Sequence, residues 1–150
     1  MRVPYSWLIE YIDTDISPED LAEELTMGGL EVEEIEAWDS ADGEATDTVL
    51  ITSVTSNRGD LLSMVGIARH VGALLRCDLN LPDLSSEETA NSNRAETDLE
   101  QGDTQITIKD PEGCPRYSAL RLVGVDVRES PDWMRYRLEA AGARPLGNIV

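Results

Sequence analysis

Aromatic side chains are scarce in this chain. Its 150 residues contain no phenylalanine, three tryptophans and four tyrosines. Hydrophobic residues make up 41%, slightly under the globular average, so a core is possible but small. No apolar run approaches the roughly 20 residues that cross a bilayer, and no membrane partner is expected. Residues 1–15, MRVPYSWLIEYIDTD, hold one arginine and then acids within a short apolar stretch. A long hydrophobic centre and a small-residue cleavage site are both missing, so no secretory signal is read there and a cytoplasmic chain is expected. Cysteine is limited to Cys77 and Cys114. Neither belongs to a CxxC pair or has a histidine at ligand spacing, which argues against zinc. A disulfide stays open on sequence but is disfavoured in the cytoplasm; two ordinary thiols, at least one buried, are expected. Positive charge is the remaining shortage. Twelve Lys and Arg face 30 Asp and Glu, for a net charge of −18. Residues 1–47 carry fifteen acids and one base, Arg2; residues 83–103 carry seven acids and only Arg94; 48–82 and 104–150 are nearly balanced. Such a field repels polyanions, so the N-terminal part is a poor nucleic-acid binder by itself and reads as a solvated acidic surface.

What remains is well punctuated. Pro4 suits the first turn of a helix, after which Trp7, Leu8, Tyr11 and Ile12 make one apolar stripe. Ser17-Pro18-Glu19-Asp20 is a helix start with Ser17 as N-cap, and Gly28-Gly29 ends that helix. Alternation from Leu30 to about Trp38 predicts a strand, residues 39–47 a loop, and Val49–Val54 a short β-branched strand. Then comes TSNRGDLLSMVGIARH, residues 55–70, with turn residues Asn57 and Gly59 and with Asp60 placed to cap a helix over 61–76. Residues 83–103 lack periodicity and large apolar side chains and read as a flexible acidic linker. Beyond it the pattern predicts a strand at 105–110, a turn at 111–113, and a strand at 117–127 bent at Gly124. A helix opened by Ser130-Pro131-Asp132 and closed by Gly142 follows, then an apolar, strand-like run at 146–150. The fold class is α+β: a small helix/strand domain at 1–82 with an internal loop, a linker at 83–103, and a β-β-α unit at 104–150.

Little in the sequence points to chemistry. His70 is the one histidine, and nothing at nucleophile-elbow spacing makes it part of a triad. Thirty carboxylates single out no acid/base dyad. Gly28-Gly29 lacks the strand-loop-helix setting and the lysine of a phosphate loop. Arg116 and Arg121 could meet an anion, but a solvated strand face explains them as well. Arg58-Gly59-Asp60 spells an adhesion tripeptide, a use that needs export.

Three segments in order nevertheless resemble one family. MRVPYSWLIEYID with LAEELTMGGLEVEEIE resembles the N-terminus of the bacterial phenylalanine–tRNA ligase beta subunit. TSNRGDLLSMVGIARHVGALL resembles that family's Thr-Pro-Asn-Arg-Pro-Asp-Cys-Leu-Ser run with its following Gly-Ile-Ala-Arg-Glu. CPRYSALRLVGVDVRESPDWMRYRLEAAGARPLGNIV resembles the entry into its editing domain. Ser56 and Gly59 stand where prolines are common, Leu61 where Cys is, and His70 where Glu is. A tRNA-binding oligonucleotide-fold insert is usual between the positions matched by Glu36 and Thr48; here there is only a short acidic loop.

The resemblance implies a portion of a subunit that works with an alpha subunit in a heterotetramer. That enzyme attaches phenylalanine to its tRNA with ATP and magnesium and proofreads mischarged tRNA. No catalytic, cofactor-binding or metal-binding position of the family maps onto a residue here, so this segment is expected to be structural, with no cofactor of its own and weak or no direct tRNA contact. A free-standing acidic interaction module, or a truncated paralogue, is the alternative.

Overall fold

In the computed structural model, which describes residues 1–83, 98–101, 104–117 and 124–149, the β-branched run near Val49 becomes the middle strand of an antiparallel sheet. Strands β1 (Arg2–Pro4), β2 (Glu31–Asp39) and β3 (Thr46–Ser53) lie in the order β1-β3-β2. Val3 and Ile35 both oppose Leu50, while Pro4 and Glu36 both oppose Val49. Alternate residues therefore face opposite sides of the sheet. The register shifts between Val32 and Glu34. Both strands of the β2–β3 hairpin run further than the polar composition of 39–47 suggests, through pairs such as Trp38–Asp47 and Asp39–Thr46. The loop left is Ser40–Ala45, closed by Ser40 N–H to the Ala45 carbonyl at 2.8 Å.

Three helices share one core with the sheet. Helix α1 (Tyr5–Ile9) is only five residues long, with Pro4 at its N-cap rather than inside its first turn. Helix α2 (Pro18–Met27) starts as its sequence predicts: Ser17 Oγ accepts from the Asp20 N–H at 3.1 Å. It ends at Gly28, and Gly29 takes the left-handed φ of +93° that a side chain disfavours. Helix α3 (Met64–Leu75) follows a 3₁₀ turn at Gly59–Leu61. Leu8, Leu21, Leu25, Leu50, Leu61 and Ile67 form the heart of the core, each 1% exposed or less.

The chain divides into two units, Met1–Leu81 with Val127–Val150, and Pro82–Asp126. Residues 127–150 thus group with the N-terminal elements rather than with the strands that precede them. Helix α4 (Asp132–Ala140) lies against β1: Arg2 Nε donates to the Ala140 carbonyl at 3.0 Å. Its cap position is Pro131, not Ser130, whose Oγ is buried without a hydrogen-bond partner among the described residues. Gly142 follows the helix with φ +81°, as expected of a closing glycine. Residues 146–149 form no strand; Asn148 N–H instead donates to the Arg128 carbonyl at 3.0 Å.

In the second unit, strands β4 (Asp98–Gln101) and β5 (Thr104–Thr107) pair antiparallel. The first falls in the stretch read as linker. Backbone pairing with β5 supplies there what side-chain composition does not reveal. Asp110 accepts from the Gly113 N–H at 3.1 Å in the expected turn. Among the described residues of 117–127, Tyr117 and Gly124–Val127 are not strand, and Gly124 bends at φ +70°. The rest of that predicted strand, with Arg121, and the linker at 84–97 lie outside the described residues. Both cysteines are free thiols, and both are half-buried where at least one was expected to be buried. Among the described residues, no helix is long and apolar enough to cross a membrane.

Candidate functional site

The corner from Arg58 to His70 is the candidate that the sequence singles out, and its geometry begins at the turn. Arg58 N–H donates to the Thr55 carbonyl at 3.0 Å, reversing the chain after β3. The guanidinium then folds onto Asp60, with Nε 3.0 Å from Oδ1 and Nη2 2.9 Å from Oδ2. Asp60 is therefore an ion-pair partner in the 3₁₀ turn and not the cap of α3. The cap is Ser63, whose Oγ accepts from the Gly66 N–H at 3.0 Å. Leu61 dips into the core between them. The turn consumes the residues that a helix starting at 61 would have used.

Gly66 closes the corner. A Cβ on it would lie 1.7 Å from the Asp60 carbonyl oxygen, so only glycine lets α3 approach the turn this closely. Arg58, Asp60, Ser63, Gly66, Arg69 and His70 surround an open pocket of about 340 Å³.

The electrostatics are those of a pinned corner. The hydrogen bond from Arg58 holds the Asp60 carboxyl below its usual range. Burial, and then the Arg58 charge, push the His70 pKa down, against smaller upward effects of Asp60 and the Gly28 backbone. His70 Nε2 is buried with no hydrogen-bond partner among the described residues. A neutral imidazole suits that environment. The carboxylate here is committed to Arg58 and the Ser63 hydroxyl oxygen to the helix end; a nucleophile–base–acid relay is not what these contacts build. Arg58 and Asp60 point at one another, so the adhesion tripeptide does not present two free charges.

Of the other predicted positions, Arg121 lies outside the described residues. Arg116 is exposed, in the second unit, and its carbonyl accepts from the Cys114 thiol at 3.6 Å. Sequence reasoning missed a second polar cluster altogether: Asp42 of the β2–β3 loop, with Arg135 and Tyr136 of α4. Ninety-three positions separate Asp42 from Arg135, and no local pattern links them.

No family model matches the chain. Curated relatives do. The "Phenylalanine--tRNA ligase beta subunit" of Rhodopirellula baltica is 34% identical over all 150 residues, which cover 20% of that relative. The proteins of the same name from Synechocystis and Thermotoga maritima are 40% and 42% identical over 104 and 106 residues, 69% of this chain and 12% of each relative. The chain thus spans a fifth or less of the length of these relatives.

Proposed function

This chain belongs to the phenylalanine–tRNA ligase beta-subunit family, and from that premise we propose that it serves as an N-terminal scaffold portion of such a subunit. The observation that carries the reading is the alignment of the entire chain to one such subunit. In this reading Met1–Leu81 is the structural N-terminal domain. The segment from residue 104 opens the editing domain, and α4 folds back onto the scaffold. The partner is an alpha subunit. Aminoacylation of tRNA with phenylalanine, with ATP and magnesium, is the work of the assembled enzyme, as is proofreading of mischarged tRNA. Among the described residues, no group of three or more His, Cys, Asp or Glu is placed to hold a metal ion. The acidic stretch at 1–47 opposes the phosphate backbone of tRNA, which supports a supporting rather than a tRNA-gripping role.

Two measurements test this. The purified chain, mixed with tyrosyl-tRNA for phenylalanine, is expected to leave deacylation at the buffer rate; faster hydrolysis would overturn the non-catalytic role. Co-purification with the alpha subunit is expected. Failure of that capture, with stable capture by a different defined protein, would favour the second reading, an acidic interaction module, whose support is the net charge of −18.

A further inference from the structure

Helix α4 is fastened to the first unit by polar contacts more than by burial. Ala140 is its one fully buried residue, and Trp133 is 59% exposed. Arg135 Nη2 meets Asp42 Oδ2 at 2.7 Å, and the Tyr136 hydroxyl donates to the same oxygen at 3.1 Å. Arg137 pairs with Glu10 just past α1 and stands 5.6 Å over the Trp7 ring. Arg2 holds the far end, donating through Nε to the Ala140 carbonyl while its Nη1 pairs with Glu36 at 2.7 Å. The wider charge distribution agrees: residues 127–150 hold four arginines and three acids, whereas residues 1–47 hold fifteen acids and one arginine. Trp38 meets Tyr136 edge-on at 6.5 Å.

We propose that residues 127–149 form a salt-releasable strap, in which α4 is clasped to the β2–β3 loop and to the end of α1 by arginine–carboxylate pairs and detaches locally while the α1–α3 core stays folded. The side chains of these pairs are 30–50% exposed, the range in which dissolved ions screen attraction. Elements with few buried apolar contacts are those that open below the global unfolding energy. Detachment uncovers Trp7 and Trp38.

Salt separates this device from global unfolding because the two respond with opposite sign. Screening a net charge of −18 relieves self-repulsion and stabilises the compact core, while it weakens the clasp. The test is hydrogen–deuterium exchange of the full chain, with tryptophan fluorescence alongside; all three tryptophans, Trp7, Trp38 and Trp133, sit at the strap or its seat. Between about 0.1 M and 1 M NaCl the Debye length falls from roughly 10 Å to 3 Å. With each exposed pair contributing a small factor, amides 134–140 are expected to exchange about tenfold faster at the higher salt. Amides 67–75 of α3 exchange no faster. Asp42→Asn is expected to open α4 already at low salt, since asparagine keeps the Oδ1 acceptor for Ser40 and Glu44 but loses the charge facing Arg135. Asp60→Asn, away from the strap, leaves α4 exchange unchanged. If Asp42→Asn speeds α3 exchange as well, Arg137→Gln takes its place. Salt-independent protection of α4 in the unaltered chain, or loss of α4 and α3 protection together, would overturn the proposal.

Discussion

Gly66 is a residue whose identity is set by a neighbour's backbone and not by its own torsions. The Asp60 carbonyl occupies the space of its missing Cβ. Gly66→Ala forces the 3₁₀ turn and α3 apart and is expected to destabilise the chain by about 1–3 kcal/mol, the usual cost of overpacking. Urea unfolding measures it, and an unchanged midpoint would contradict the contact. His70 gives a pH-dependent counterpart. Its folded pKa lies below the ordinary 6.5, chiefly through burial. The unfolded chain therefore binds the proton first on acidification, so the stability that His70 contributes is fully present above about pH 6.5 and is lost as pH falls through the folded value. An NMR titration should place its midpoint below 6.5, and His70→Gln should reduce the loss of stability between pH 7 and pH 5. A midpoint at or above 6.5 would reverse the sign. Both residues belong to a motif legible in the sequence. The turn spacing and the apolar helix face were readable because they are local, whereas the close approach of Asp60 to Gly66 is a matter of three-dimensional packing.

At the scale of the element, two nearly identical starts behave differently. Ser17-Pro18-Glu19-Asp20 and Ser130-Pro131-Asp132 carry the same local instruction. Ser17 caps α2, yet Ser130 does not cap α4, and its hydroxyl is buried without a partner among the described residues. Removing a working cap costs about 1 kcal/mol, while removing a buried unsatisfied hydroxyl is close to neutral or favourable. Ser17→Ala should therefore lower the thermal midpoint and Ser130→Ala should leave it level or raise it; equal losses would show that both serines cap. The same lesson applies to α3. Asp60 and Ser63 are both competent caps by type, three positions apart, and the choice falls to Ser63 once Arg58 has claimed Asp60 and Leu61 has entered the core. Strand β4 was hidden for a related reason: its support comes from backbone pairing with β5, which acidic composition does not announce.

For the whole molecule, charge dominates. A net −18 makes the compact state self-repelling at low ionic strength, so the urea midpoint of global unfolding should rise between about 0.1 M and 1 M NaCl. A falling midpoint would mean that attractive pairs outweigh the repulsion. The sequence by itself determined the acidic N-terminal surface, the α+β class, the helix at 17–28, a helix within 61–76, the strands flanking the loop, and the kinship with phenylalanine–tRNA ligase beta subunits. Each of these is written in composition, in periodicity or in contiguous motifs, which need no knowledge of what lies far along the chain. Tertiary structure alone decided that residues 127–149 fold back against β1, that Asp42 meets Arg135, and that Asp60 yields the cap to Ser63. Those outcomes depend on which surfaces meet once the chain has collapsed. Arginine–carboxylate pairs and close backbone approaches are made between residues whose separation in sequence carries no signal of their encounter.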